Sequence, residues 1–245
     1  ESLASSNWVV NIDKTAPTTI PTITGVVDDV DPATGPISDH GLTNDTKPTI
    51  TGVGAEPDGR GHIYDGTTFL GETMADSAGN WAFTPKIALG DGEHVFSAKN
   101  VGPGGAEGGT SSDWTVFIDT IAPSGFETVS TSFAISQDTA HGLPVSGSGY
   151  AETTTATNND HVTRDSDTLV ISGTLSQSLT DGTSLQFSSD SGTTWKTVLS
   201  NSGTEWSHTA SGMLPEGTRT IQFRIVDAAG NVAETPDLTS KSLAV

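Results

Sequence analysis

A chain of 245 residues with 33% hydrophobic residues, 28 Gly and 12 Pro has room for one or two small domains with modest cores. Its 30 Asp and Glu against 10 Lys and Arg give a formal net charge of −20, which argues against nucleic acid and anionic membrane surfaces as partners and leaves a cation as the natural counterpart. The lack of Cys excludes disulfide staples and thiolate metal sites, and no apolar run is long enough to cross a bilayer as a helix.

In chain order, the first signal is a punctuation mark that returns later. Asn11-Ile12-Asp13-Lys14-Thr15-Ala16-Pro17 and Phe117-Ile118-Asp119-Thr120-Ile121-Ala122-Pro123 each end an alternating apolar run in Asp, and the Ala-Pro that follows prevents regular pairing from continuing. Asp119 follows Asp13 by 106 residues (119 − 13), the size of one small β-sandwich, so two tandem domains are expected in an internal piece of a longer string. The expected boundaries are 1–16 for a terminal or leading strand plus linker, 17–119 for the first domain and 120–245 for the second.

Seven short strands are expected in the first domain: Thr19 to Val27, Pro48 to Val53, His62 to Tyr64, Thr68 to Met74, Trp81 to Thr84, His94 to Lys99 and Asp113 to Ile118. Asp65-Gly66, Ser77-Ala78-Gly79-Asn80 and Asp91-Gly92 supply turn residues between them, and Gly102 to Gly109 reads as a flexible glycine-rich loop in an irregular hairpin. In the second domain Thr168 to Gly173 answers Lys47 to Gly52, and Ile221 to Val226 answers the strand around Val95 and Phe96. Ser188 to Trp195 reads as a hairpin whose Trp returns to the core, Asp227 to Asn231 as a turn, and Ser146 to Asn159 as an exposed, mobile loop. Nothing sustains a helical period, so the fold class is all-β: tandem immunoglobulin-like β-sandwich domains.

The Ile-Asp-x-x-Ala-Pro junctions, Asp28-Asp29-Val30-Asp31 leading to Thr43-Asn44-Asp45-Thr46-Lys47-Pro48, the Ile50-Thr51-Gly52 strand and the Asp227-Ala228-Ala229-Gly230-Asn231 turn together resemble the bacterial immunoglobulin-like repeats of giant, type I-secreted, non-fimbrial adhesins and biofilm-associated surface proteins. That resemblance implies a rod of many domains on a bacterial cell surface, secreted and extracellular, with calcium ions stiffening the joints. Its partners would be neighbouring repeats of the same chain, plus a host-cell or matrix receptor engaged by other parts of the parent protein. A monomer without membrane insertion is expected.

Calcium takes six to eight hard oxygen donors and tolerates irregular geometry, so carboxylates, Asn oxygens and carbonyls from several loops can serve it. One joint is expected to gather Asp13 with Asp28, Asp29, Asp31, Asp39, Asn44 and Asp45, and the next Asp119 with Asp138, Asn159, Asp160 and Asp165. Asp65, Asp76, Asp91, Asp181, Asp190 and Asp227 read as turn residues, all but Asp227 directly beside Gly or Ser. The six His, at 40, 62, 94, 141, 161 and 208, form no His-x-x-x-His pair, and no Gly-x-Ser-x-Gly elbow exists, so no enzyme is expected. The rival reading is a carbohydrate- or receptor-binding module using the loops Gly102 to Gly109 and Ser146 to Asn159, where Tyr150 is the one aromatic residue.

Overall fold

The computed structural model describes residues 10–124, 129–135, 170–175, 177–179, 182–198, 200–202, 204–209, 218–233 and 241–244. The chain divides into two compact units, Glu1–Thr120 and Ile121–Val245.

In the first unit the strands are β1 (Thr22–Asp28), β2 (Gly35–Ile37), β3 (Gly41–Thr43), β4 (Thr49–Val53), β5 (Arg60–Asp65), β6 (Thr68–Met74), β7 (Trp81–Phe83), β8 (Gly92–Val101), β9 (Glu107–Thr110) and β10 (Trp114–Ile118). One sheet runs β2-β1-β4-β7 and the other β3-β10-β8-β5-β6, with β9 continuing the β10 edge of β8. Alternation along the strands buries Ile23, Val26, Ile50, Trp81 and Phe83 of one sheet against Ile63, Phe96, Ala98, Val116 and Ile118 of the other. A register shift between Ile23 and Gly25 lets Ile23 and then Val26 face inward, and the restored alternation turns Asp28 inward two residues later. A bulge near the start of β1 thus places a carboxylate at the inner end of that strand.

All seven expected strands are present. The short strands β2, β3 and β9 were not anticipated, because three or four residues carry too little alternation to be read. β3 runs parallel to β10, pairing Thr43 with Ile118, and β9 makes the back of the glycine-rich loop a paired strand rather than a free loop. Residues 10–13 form no strand: Val10 and Ile12 are 80% and 76% exposed, so their alternation marks no buried face here.

The second unit carries β11 (Val129–Ile135), β12 (Val170–Leu175), β13 (Ser184–Ser188), β14 (Lys196–Thr197), β15 (Ser200–Ser202), β16 (Glu205–Thr209), β17 (Thr218–Val226) and β18 (Lys241–Ala244). Its sheets run β11-β12-β16-β15 and β14-β13-β17-β18. Leu185, Phe187, Trp206, Ile221, Phe223 and Ile225 are buried. Trp195 does not return to that core: it is half-buried, donates to the Gly192 carbonyl at 3.0 Å, and carries the Arg224 guanidinium 4.2 Å above its ring. The loop Ser146 to Asn159 lies outside the described residues.

One pairing recurs in both units. Gly52 stands opposite Trp81 and Gly173 opposite Trp206, and a Cβ on either glycine would lie 2.1 Å or 2.6 Å from the facing indole's Cζ2. Each core tryptophan lies flat over a strand that has no side chain at that point.

Candidate metal centre

The first unit has two ends that its hydrogen bonds define. At the leading end, Asn100 of β8, with no exposed surface, donates Nδ2 to the Thr19 carbonyl at 3.0 Å, the Thr19 hydroxyl at 3.0 Å and the Gly54 carbonyl at 3.2 Å. At the trailing end, β1 finishes at Asp28 and β10 at Ile118, and the Asp119 amide donates to the Thr43 carbonyl at 3.0 Å.

The trailing end holds most of the expected ligands. Asp28 and Asp45 are 3% and 2% exposed, a degree of burial that carboxylates reach only with compensating partners. Thr43, fully buried, joins them: its hydroxyl donates to Asp28 Oδ2 at 2.5 Å and accepts from the Asp45 amide at 3.0 Å. Asp28 Oδ1 also accepts from the Val30 amide at 2.7 Å, and Asp45 Oδ1 from the Lys47 amide at 2.7 Å, both as Asx turns. Asp29 reaches the group through its amide, 3.5 Å from Asp45 Oδ2, and Asp31 through its carbonyl, 3.4 Å from Asn44 Nδ2.

The electrostatics of this group are unbalanced. Burial raises the Asp45 carboxyl above its ordinary value, the Lys47 and Asp29 amides oppose that shift, and the charges of Asp28 and Asp29 reinforce it. None of the ion pairs among the described residues involves Asp28, Asp29, Asp31 or Asp45. Asn44 Oδ1 is buried without a hydrogen-bond partner. Two buried carboxylates, a third acid nearby and an unpaired amide oxygen form an all-oxygen donor set, the kind hard divalent cations take. Among the described residues, no three His, Asp or Glu side chains form a ready-made metal cage, so carbonyl oxygens would have to complete the shell.

Two expected ligands lie elsewhere. Asp13 belongs to the leading end, where its Oδ1 accepts from the Thr15 amide at 2.9 Å and its main chain runs beside Gly104, so it does not meet the Asp28 to Asp45 group. The expectation failed because β1 carries the chain from the leading end to the trailing end before the acidic loop begins. Asp39 Oδ1 accepts from the Thr115 amide on β10 at 2.8 Å, the chief cause of its lowered carboxyl, and its Oδ2 stands 3.2 Å from His40 Nδ1. Asp138, Asn159, Asp160 and Asp165 lie outside the described residues.

The residue that sequence reasoning missed is Thr43, whose place beside two acids depends on the unforeseen parallel strand β3. A second polar cluster, on the outer face of β5, β8 and β9, was also unforeseen. Glu107 accepts from the Tyr64 hydroxyl, stands 2.7 Å from His62 Nδ1, and pairs with Lys99 Nζ at 2.9 Å. These three partners, Tyr64 foremost, hold the Glu107 carboxyl down to about 2. Each of its partners is a side chain of the same sheet, so the cluster is a fastening for β9.

The bacterial Ig-like domain family matches residues 19–120 and 144–241. Among solved structures, the chain is similar to the fibronectin(III)-like modules of Clostridium thermocellum CbhA, at 15% identity, 91% coverage of each chain and a TM-score of 0.44. It is similar to the FN1–FN3 domains of chicken CNTN1, at 13% identity, 95% of this chain, 69% of that one and a TM-score of 0.48. A 1.5-MDa bacterial ice-binding adhesin matches at 17% identity over 93% of this chain and 64% of that one, with a TM-score of 0.37. No curated protein matches the chain. With every one of these TM-scores below 0.5, the family match and the two-sheet topology carry the assignment: the chain belongs to the bacterial Ig-like domain family and holds two copies of that domain in tandem.

Proposed function

We propose that the chain is a stretch of stalk from a large extracellular bacterial adhesin, in which calcium bound at the ends of its sandwiches limits bending and holds an adhesive region away from the cell. The observation that carries this reading is the Asp28–Thr43–Asp45 group: two buried carboxylates at the end where the chain leaves the first sandwich, with no basic partner among the described ion pairs. Asp28, Asp29, Asp45 and Asn44 Oδ1 would hold the ion, with Asp31 on the loop after β1 and Asp119 at the end of β10 beside Thr43. The cation would supply charge neutralisation and cross-linking of those loops, not a reaction.

The tandem arrangement of an Ig-like domain, typically non-enzymatic, supports a mechanical role, and the net charge of −20 supports a cation as the partner. The type I secretion route, the biofilm setting and a receptor engaged by other parts of the protein belong to the same proposal. The rival glycan-binding reading is the less favoured at one of its two loops, because the chain's own residues 13, 15 and 17 already lie against Gly104, Gly102 and Gly108.

The test is a calcium titration of the full chain, followed by thermal melting and small-angle scattering. A ligand that binds only the folded state raises the midpoint by mass action. Calcium should raise the midpoint and narrow the distribution of sizes, and chelator should reverse both. Identical melts and scattering with calcium and with chelator would refute the reading.

A further inference from the structure

The glycines of residues 102–109 fall into two kinds. Gly105 has a φ of +86° with nothing within 4 Å of the place its Cβ would occupy, so the turn itself requires it. Gly102, Gly104 and Gly108 lack a positive φ, and what they require is space. A Cβ at Gly102 would lie 2.6 Å from the Thr15 carbonyl oxygen, at Gly104 1.6 Å from that of Asp13, and at Gly108 2.6 Å from that of Pro17. Gly109 would meet the Ile20 side chain at 3.0 Å.

Asp13, Thr15 and Pro17 are alternate residues, and an extended chain turns alternate carbonyls toward one side. Segment 13–17 is therefore laid edge-on over the loop, each of those carbonyls facing a glycine Cα, the arrangement of weak C–H···O contacts. Most of its side chains do not anchor it: Lys14, Thr15, Ala16 and Thr18 are exposed, and of the half-buried Asp13 and Pro17 only Pro17 packs its ring beside Gly102 and Gly108. An open cleft lined by Asp13, Thr15, Pro57, Asp58, Arg60 and Met74 runs alongside, so the glycine loop is its main support. The loop is fixed in turn by β9, which Glu107 fastens to His62, Tyr64 and Lys99, and the end of the segment by Asn100.

We propose that residues 102–109 form a saddle that binds an extended main chain through its carbonyls, and that this saddle, with no cation, fixes the path by which residues 13–20 reach the first sandwich. The docking does not depend on the stalk reading; only its mechanical meaning, a second and metal-independent stiffener at the opposite end from the acidic group, rests on it.

Backbone order parameters from nitrogen-15 relaxation of the full chain in chelator test the saddle, since rigid backbone gives about 0.85 and flexible backbone less than about 0.6. Thr15, Ala16, Thr18 and Thr19 should be rigid in the wild type. Gly104→Ala and Gly108→Ala should bring Thr15 and Ala16 into the flexible range while the strand amides of Val26, Ile50 and Val116 stay rigid. Gly90→Ala, whose Cβ would meet nothing within 4 Å, should change neither. Glu107→Gln adds no atom to the saddle, so it gives a second reading should the alanine variants fail to fold: it should loosen the same segment. The saddle is overturned if residues 15–19 are already flexible in the wild type, or remain rigid in every folded variant. A calcium-insensitive protein whose segment is freed by these substitutions would refute the stalk reading and leave the saddle standing.

Discussion

A single carboxylate oxygen of Asp91 ties down Thr120: Oδ1 accepts from the Thr120 amide at 3.0 Å and from its hydroxyl at 2.8 Å. Asp91 reads in the sequence as an ordinary turn residue, yet its turn between β7 and β8 holds the first residue beyond Asp119 against the trailing end. Asp91→Ala should cost about 1 kcal/mol, the usual worth of hydrogen bonds in a solvated setting. Its larger effect should be faster proteolysis after residue 120, measured as the cleavage rate of the folded chain. Unchanged cleavage would show that the tie has no hold on the linker.

Asp45 offers a substitution whose sign depends on calcium. Burial and the neighbouring charges of Asp28 and Asp29 penalise its ionised form. Asp45→Asn should therefore raise the melting midpoint in chelator. With calcium the order should invert, because the variant has lost a carboxylate ligand; a calcium affinity lower by about tenfold, ~1.4 kcal/mol, is expected by isothermal titration. A variant less stable than wild type in chelator as well as in calcium would assign Asp45 to turn structure alone.

Glu107 gives a pH dependence. Its folded value of about 2 lies below the ordinary 4.5, so its fastening contributes stability above pH 4.5 and loses it as the pH falls from there toward 2. The Glu107→Gln variant should be less stable than wild type at neutral pH, and the gap between their midpoints should close through that acidic window. A constant gap across the window would mean that the carboxylate's charge plays no part.

Gly52→Ala should destabilise the first unit by about 1–3 kcal/mol or more, since the added methyl would lie 2.1 Å from the Trp81 ring and 2.4 Å from the Thr22 carbonyl oxygen, and overpacking costs that much in well-filled cores. Gly173→Ala should do the same to the second unit through Trp206. Denaturant melts of the two single variants should each shift one transition. The loss in the double variant Gly52→Ala with Trp81→Leu should be smaller than the sum of the two single losses, a coupling that a purely backbone effect of alanine would not give.

The strands whose inward and outward residues alternate, such as Thr49–Val53 and Trp81–Phe83, were legible because side-chain period alone places them. The acids at 28, 29, 31 and 45 were legible as a group, because one loop region brings them close in sequence. Which end they occupy was not. That depends on β1 crossing the whole sandwich first, and on a three-residue parallel pairing between β3 and β10 that leaves no mark in composition. Gly102, Gly104 and Gly108 misled in the opposite direction: flexibility was the natural reading of so many glycines, whereas close approach of another backbone is their actual use.

Because the saddle engages carbonyls, which every residue possesses, the exposed positions Lys14, Thr15, Ala16 and Thr18 can change their side chains freely while the segment still seats itself, with Thr19 and Ile20 kept for their own contacts. Recombination could therefore graft this sandwich behind an unrelated predecessor and preserve the seam, provided Gly102, Gly104 and Gly108 travel with the acceptor.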